Sequence, residues 1–207
     1  MTDTKFFSRK FDVSRETLER LEIYASLLKK WNPAINLVAP STINDLWERH
    51  FLDSAQVFSA LPQDATKWCD VGTGGGFPGL IVAMLAQEKA PELQVTCIES
   101  DLRKATFLRT VLRETGVEAN VLSERIEQAE PQAADVFSAR ALASLDKLLE
   151  FSERHLSPNG ICVFQKGARY QEEVEEALEN WSFQLDKIPS VTNSDAVILK
   201  IGAIKRA

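Results

Sequence analysis

The stretch Asp70-Val71-Gly72-Thr73-Gly74-Gly75-Gly76-Phe77-Pro78-Gly79 holds five of the chain's nine glycines. It lies between an apolar strand-like run, KWCDV (67–71), and a run of helical character over 79–89. Glycine lets a backbone turn through positive φ and leaves no Cβ in the way of a ligand. Pro78 suits the first turn of the helix, whose free N–H groups and positive dipole end face the same crevice. A strand, a glycine turn and a helix in this order open an α/β sheet that binds ligands at the carboxyl edge of its strands.

The rest of the chain agrees with that opening. QVTCIE (94–99), EANVLS (118–123), ADVFSA (134–139) and GICVFQ (160–165) read as further strands, alternating with helices at about 79–89, 102–115 and 144–154. Such alternation means parallel strands joined by helical crossovers. WSFQLDKI (181–188) and AVILKIGAI (196–204) add an antiparallel hairpin at one edge. Ahead of Pro62 there is no strand signal. Ser14 is placed to cap a helix with Leu18, Leu21, Tyr24, Ala25, Leu28 and Trp31 on one face, which Pro33 should stop. A second helical stripe runs from Ser41 to Pro62. The expectation is an α/β protein: residues 1–62 a helical N-terminal extension, residues 63–207 a Rossmann-like, doubly wound sheet of about seven strands.

Composition narrows the class. With 44% hydrophobic and 26% charged residues the chain has the means to fold. Its apolar runs fall short of the roughly 20 residues that span a bilayer, and MTDTKFFSRKFDVSRE lacks an apolar signal core, so a soluble cytoplasmic protein is expected. Cys69, Cys97 and Cys162, odd in number and each in an apolar run, fit buried reduced thiols, and two histidines argue against a histidine metal site. The net charge of −6 divides unevenly, +1 over residues 1–50 and −7 over 51–207, so a nucleic-acid partner would have to be met by local patches.

Two cofactor classes compete for the loop. Gly74, Gly76 and Gly79 match the dinucleotide pattern G-x-G-x-x-G, with Glu99 twenty residues beyond Gly79. Asp70, Gly72, Gly74 and Gly76 match the acidic-x-G-x-G-x-G pattern of S-adenosylmethionine-dependent methyltransferases, which fits the strand end better. A strand-end carboxylate such as Glu99 serves either, because it can accept hydrogen bonds from both ribose hydroxyls.

Across most of its length the chain resembles the glucose-inhibited division protein B family of small-subunit ribosomal RNA guanine-N7 methyltransferases. The resemblance is carried by Leu28, Trp31-Asn32, Asn36-Leu37, Arg49-His50, Asp53-Ser54, the glycine loop, Ser138 to Leu145 and Lys166-Gly167. It implies a class I S-adenosylmethionine-dependent methyltransferase acting on N7 of a guanine in the 530 loop of 16S ribosomal RNA, free or within a partly assembled subunit, and as a monomer. The cofactor contacts it implies fall on Gly72 and Phe77, on Ile126-Glu127 and on Arg140, to which the motif and the strand end add Gly74 and Glu99. Substrate contacts are expected at Asn36, Arg49, His50 and Lys166. Gly75 departs from the family, which often has proline there.

Guanine N7 carries a lone pair and no proton, so its attack on a sulfonium methyl needs alignment and no catalytic base. The chain has no Pro-Cys pair for cytosine C5 chemistry and no Asn/Asp-Pro-Pro-Tyr/Phe for amino nitrogens; Ser138-Ala139-Arg140-Ala141 stands there. A methyltransferase for a small molecule, a nicotinamide oxidoreductase and a noncatalytic RNA-binding module remain as alternatives. Several residues also have plainer roles open to them. Asp70 could order its own loop, His50 could be a satisfied core histidine, and Asn36 could cap or turn the chain. Arg49 and Asp53, four apart, could pair with each other; Arg103, Arg109 and Arg113 could form a solvated face, and the glutamates at 172, 173, 175, 176 and 179 should face solvent.

Overall fold

The computed structural model describes residues 3–207. Two helices, α1 (Asp3–Phe11) and α2 (Arg15–Ile35), are followed by a 3-10 turn (Pro40–Thr42). A helical segment then changes pitch twice: a π turn over Trp47–Leu52, one α turn, α3 (Asp53–Ala55), and a 3-10 turn over Gln56–Ala60. The sheet elements follow as β1 (Lys67–Val71), α4 (Gly79–Lys89), β2 (Gln94–Ile98), α5 (Leu102–Thr115), β3 (Asn120–Leu122) and β4 (Ala134–Arg140). α6 (Leu145–His155), β5 (Leu156–Lys166), α7 (Tyr170–Ala177), β6 (Trp181–Pro189) and β7 (Val197–Arg206) complete the chain.

The seven strands form one sheet in the order β3-β2-β1-β4-β5-β7-β6. β1 to β5 pair in parallel, and β7 enters antiparallel between β5 and β6. The chain leaves β1 toward β2 and returns on the other side at β4, so the crevice beyond β1 and β4 is the topological switch point where open sheets bind ligands. α4, α5 and the N-terminal helices bury a common core on one face, and α6 and α7 bury a second core on the other. Between β3 and β4 there is no helix; the 125–129 turn, with Ile126 and Ala129 in the second core, covers that part of the sheet.

The long helix of the N-terminal segment is fastened to α4 at its start. Ser14 caps α2 by accepting from the Thr17 N–H at 3.2 Å, and Glu88 of α4 accepts from the Ser14 N–H and the Thr17 hydroxyl. Pro33 does not stop α2, which runs on to Ile35. Lys29, Lys30 and Pro33 all face solvent, where water can take the carbonyl that a proline leaves unbonded. Asn36, at φ 50°, closes the helix through its N–H to the Asn32 carbonyl. The second stripe begins at Leu46 instead of Ser41, which lies in the 3-10 turn. α7, whose apolar positions Tyr170, Val174 and Ala177 lie among glutamates, was not among the expected helices.

Among the described residues no helix is long and apolar enough to cross a membrane, and Cys69, Cys97 and Cys162 are free and buried.

The glycine loop is moulded by both layers. Tyr24 of α2, fully buried, donates its hydroxyl to the Gly75 carbonyl and stacks between Phe51 and Phe77 at 5.1 and 5.5 Å. At Gly76, φ is +99°, and a Cβ there would stand 2.5 Å from the Tyr24 hydroxyl and 2.7 Å from Leu80 Cδ1. Gly116, which ends α5 at φ +64°, has open space around it. In urea unfolding followed by circular dichroism, Gly116→Ala should cost about 1 kcal/mol, the left-handed penalty alone. Gly76→Ala should cost about 2 kcal/mol or more, because the strain of its φ is joined by a collision with buried atoms.

Candidate functional site

The site starts from a carboxylate with no exposed surface. Asp70, at the end of β1, accepts the Gly79 N–H at 2.9 Å on one oxygen and the Ser138 hydroxyl at 2.6 Å on the other, and Ser138 in turn accepts the Trp68 indole N–H at 2.7 Å. One side chain thus ties β1, β4 and the start of α4 into one unit. Burial pushes its pKa up to about 6, against the pull of the bonds from Ser138 and Gly79. Of the two roles open to Asp70, loop ordering is the one the bonds describe.

Above this anchor lies a cleft with two lobes that share Gly72, Gly74, Lys104, Ala141 and Ala143. The smaller, of 370 Å³, is walled by Glu99, Ile126 and Glu127. Glu99 accepts the Gly74 N–H at 2.9 Å and the Asp101 N–H at 2.8 Å, one on each oxygen. An ionised carboxylate has about four acceptor sites, so Glu99 keeps capacity for two more donors, as a ribose diol requires. Gly72 and Gly74 have φ of +60° and +59°, and a Cβ at Gly72 would collide with Leu142 at 2.5 Å. Ile126 is buried and Glu127 exposed at the rim.

The larger lobe, of 630 Å³, is built where the π turn meets the ends of β4 and β5. Arg140 is its centre. The guanidinium lies 4.8 Å over the Phe77 ring, donates to the Asp53 carboxylate at 3.3 Å and to the Arg49 carbonyl at 3.4 Å, and bonds His50 Nδ1 at 3.0 Å. Burial lowers its pKa, and Asp53 opposes the shift. His50 is held neutral, its pKa brought down to about 3 by burial and by the charges of Arg140 and Arg49. With Nδ1 accepting from Arg140, the ring proton sits on Nε2 and donates to Thr42 Oγ1 at 2.7 Å.

Arg49 and Asp53 do not pair, contrary to the reading of them as an α-helical couple. The wider π turn rotates Asp53 away, its N–H reaching back to the Glu48 carbonyl, and turns its carboxylate toward Arg140. Asp53 also accepts from Gln165, Gln56 and Thr192, so one carboxylate joins α3, β5 and the β6–β7 loop. Lys166, 9% exposed, donates to Glu173 at 2.6 Å and to the Ala143 carbonyl at 2.7 Å. Glu173 therefore departs from the solvent-facing glutamate run: it turns inward, and it also accepts the Leu145 N–H at the start of α6.

The structure brings Gly72, Gly74, Phe77, Glu99, Ile126, Glu127 and Arg140 to this cleft, together with Arg49, His50 and Lys166. Asn36 lies outside it, exposed, as the left-handed cap of α2. The arginines of α5 are exposed and locally bonded: Arg103 to Asp101, Arg113 to Glu114 and Arg109 to the Val121 carbonyl. Sequence reasoning missed Lys104, which reaches both lobes from the first turn of α5, and Gln165, whose signal was a polar residue at the carboxyl end of an apolar strand.

The profile of the family GidB, described as rRNA small subunit methyltransferase G, matches residues 17–199. The chain is 56% identical over 195 residues to ribosomal RNA small subunit methyltransferase G of Ruegeria sp. (strain TM1040), covering 94% of this chain and 95% of that one. It is 50% identical over 198 residues to the protein of the same name from Rhodospirillum centenum (strain ATCC 51521 / SW), covering 96% and 89%. In fold it is similar to a SAM dependent methyltransferase from Aquifex aeolicus, with TM-score 0.57, 15% identity and coverage of 86% and 97%. It is similar also to the mitomycin 7-O-methyltransferase MmcR, with TM-score 0.59, 15% identity and coverage of 95% and 70%.

The raised pKa of Asp70 sets a testable sign. A carboxyl that titrates near 6 when folded and near 3.8 when unfolded costs stability as pH rises between those values. Relative to Asp70→Asn, the native chain should lose about 2 kcal/mol of unfolding free energy from pH 4 to pH 7, read from denaturant melts of both proteins across that range.

Proposed function

The chain belongs to the GidB family, the rRNA small subunit methyltransferases G, and is an S-adenosylmethionine-dependent enzyme of rRNA methylation; we propose that its acceptor is N7 of one guanine in the 530 loop of 16S ribosomal RNA. The observation that carries the reading is the two-lobed cleft: one lobe has the donors and acceptors of a nucleoside site, and the other is a separate chamber for a second ligand, joined across Gly72 and Gly74.

The residues present suit the cofactor. Positive-φ glycines at 72 and 74 leave its path clear of Cβ atoms, Glu99 retains acceptor capacity for the ribose, and Ile126 and Glu127 wall the adenosyl end. When bound, S-adenosylmethionine supplies an electrophilic methyl on a sulfonium. Phe77 and Arg140 line the larger lobe, and Arg49, His50 and Lys166 border the same acceptor chamber, with Asn36 as a contact for flanking RNA.

N7 gives up no proton, so the protein's task is placement, and no side chain is assigned as acid or base. Asp53 and Glu173 balance Arg140 and Lys166, so of the cations around the acceptor chamber only Arg49 and Lys104 have no acidic partner among the described residues. Neutral His50 adds no charge. The chain's acidic exterior makes affinity depend on shape and a few cations, Arg49 and Lys104 foremost, and favours RNA already partly assembled with small-subunit proteins. In this reading the enzyme works as a monomer in the cytoplasm, its N-terminal segment of residues 1–62 serving the methyltransferase domain of residues 63–207.

Labelled S-adenosylmethionine incubated with small-subunit RNA and immature subunits from cells lacking the gene should yield 7-methylguanosine, identified by mass. Binding of the cofactor with no label entering RNA in either form would overturn the assignment and favour a small-molecule acceptor. Arg49→Ala should lower kcat/KM for RNA about tenfold with cofactor affinity unchanged, as expected for lost substrate placement. Glu99→Ala should weaken cofactor binding about tenfold or more in calorimetry, the scale of a lost charge-assisted hydrogen bond.

A further inference from the structure

The wall of the smaller lobe at Ile126 and Glu127 belongs to the helix-free crossover between β3 and β4, so little secondary structure fixes it. Its turn is closed by the N–H groups of Gln128 and Ala129, both bonded to the Arg125 carbonyl at 3.0 Å. What braces the turn from behind is the end of α6. His155, with no exposed surface, donates from Nε2 to the Ile126 carbonyl at 2.8 Å and lies nearly parallel to the Phe137 ring, at 6.0 Å and 7°. Next to it, Arg154 donates from Nε to the Ala129 carbonyl at 2.8 Å. Two consecutive side chains thus grip the carbonyls at the two ends of one turn.

We propose that His155, assisted by Arg154, is a positioning residue for the cofactor: it touches no ligand, but it sets the orientation of the Ile126–Glu127 peptide that faces the adenosyl end. This rests on reading the smaller lobe as the adenosyl site.

The chemistry allows one arrangement of the ring. A carbonyl accepts, so Nε2 must carry the proton; Nδ1, buried without a partner, must then be bare, and the imidazole is neutral. Burial lowers the pKa of His155 in the same sense, against the bond to Ile126, which raises it. A peptide unit is planar, so fixing the Ile126 carbonyl also fixes the Glu127 N–H on the opposite side of that peptide. Neither the Ile126 nor the Glu127 N–H is bonded among the described residues. Both stay available as donors, and the ring nitrogens of adenine are acceptors. Phe137 locks the imidazole plane, so the brace is rigid rather than adaptive.

The test is a comparison of variants in the full chain, with S-adenosylmethionine affinity from calorimetry and steady-state kinetics on small-subunit RNA. His155→Phe keeps the stack on Phe137 and deletes the donor. It should raise the Kd and KM for the cofactor about tenfold and leave kcat at saturating cofactor within about twofold. His155→Gln, whose amide can donate to the same carbonyl, should recover most of that loss. Equal affinity in His155→Phe and the native chain, or a loss that appears in kcat and melting temperature while KM stays put, would overturn the proposal. So would a failure of His155→Gln to rescue. If His155→Phe does not fold, Arg154→Met takes its place, with about a threefold rise in Kd expected and no change as the overturning result. Glu99→Ala separates the two levels: if it leaves cofactor affinity intact, the adenosyl reading of the lobe fails; if it weakens binding while His155→Phe does not, only the brace fails.

Discussion

A buried negative charge organises this molecule. Asp70 joins β1 to α4 through Gly79 and to β4 through Ser138, and every feature of the cleft is measured from that junction. A carboxylate without exposed surface is expensive to keep ionised, which its upward-shifted pKa records. The cost is met in part by two hydrogen bonds, one from a backbone N–H at the positive end of a helix. In exchange, a run rich in glycine, otherwise the least determined part of the chain, is held at one height over the sheet.

The N-terminal helices complete what the sheet alone leaves open. Tyr24 pins the Gly75 carbonyl, Leu37 closes over Gly75, and the π turn projects Arg49 and His50 into the larger lobe. π turns are rare and tend to occur at functional positions. Here the irregularity decides a charge pairing: in a regular helix Asp53 would lie beneath Arg49, whereas the wider turn hands it to Arg140. Residues 3–60 and the α4–α5 face share one core, so the larger lobe and the fold are held by the same packing.

The strands, the crossover helices and the switch point were legible because apolar runs and amphipathic stripes are local signals, and so were the glycine loop and Glu99. α7 was not: its buried face is marked by Tyr170, Val174 and Ala177 amid glutamates, a pattern at helical spacing that charge obscured. Pro33 misled because its effect depends on whether the freed carbonyl meets solvent, a property of the folded surface. The pitch of 47–60 was not legible either, since it follows from packing Trp47 and Phe51 against Phe7 and Tyr24 from other helices. The partners of Asp53 lie in β4, β5 and the last hairpin, and only the sheet order brings them together.

Of the five cations that line the cleft, Arg140 and Lys166 are already paired with Asp53 and Glu173, and the chain as a whole carries a net charge of −6. Such a protein has little to hold it on an arbitrary phosphate backbone. Inside a cell crowded with nucleic acid, that restraint shortens each futile encounter. Molecules that would otherwise be titrated by bulk RNA stay free to reach the rRNA they methylate, so the sparing use of positive charge acts as a device for search.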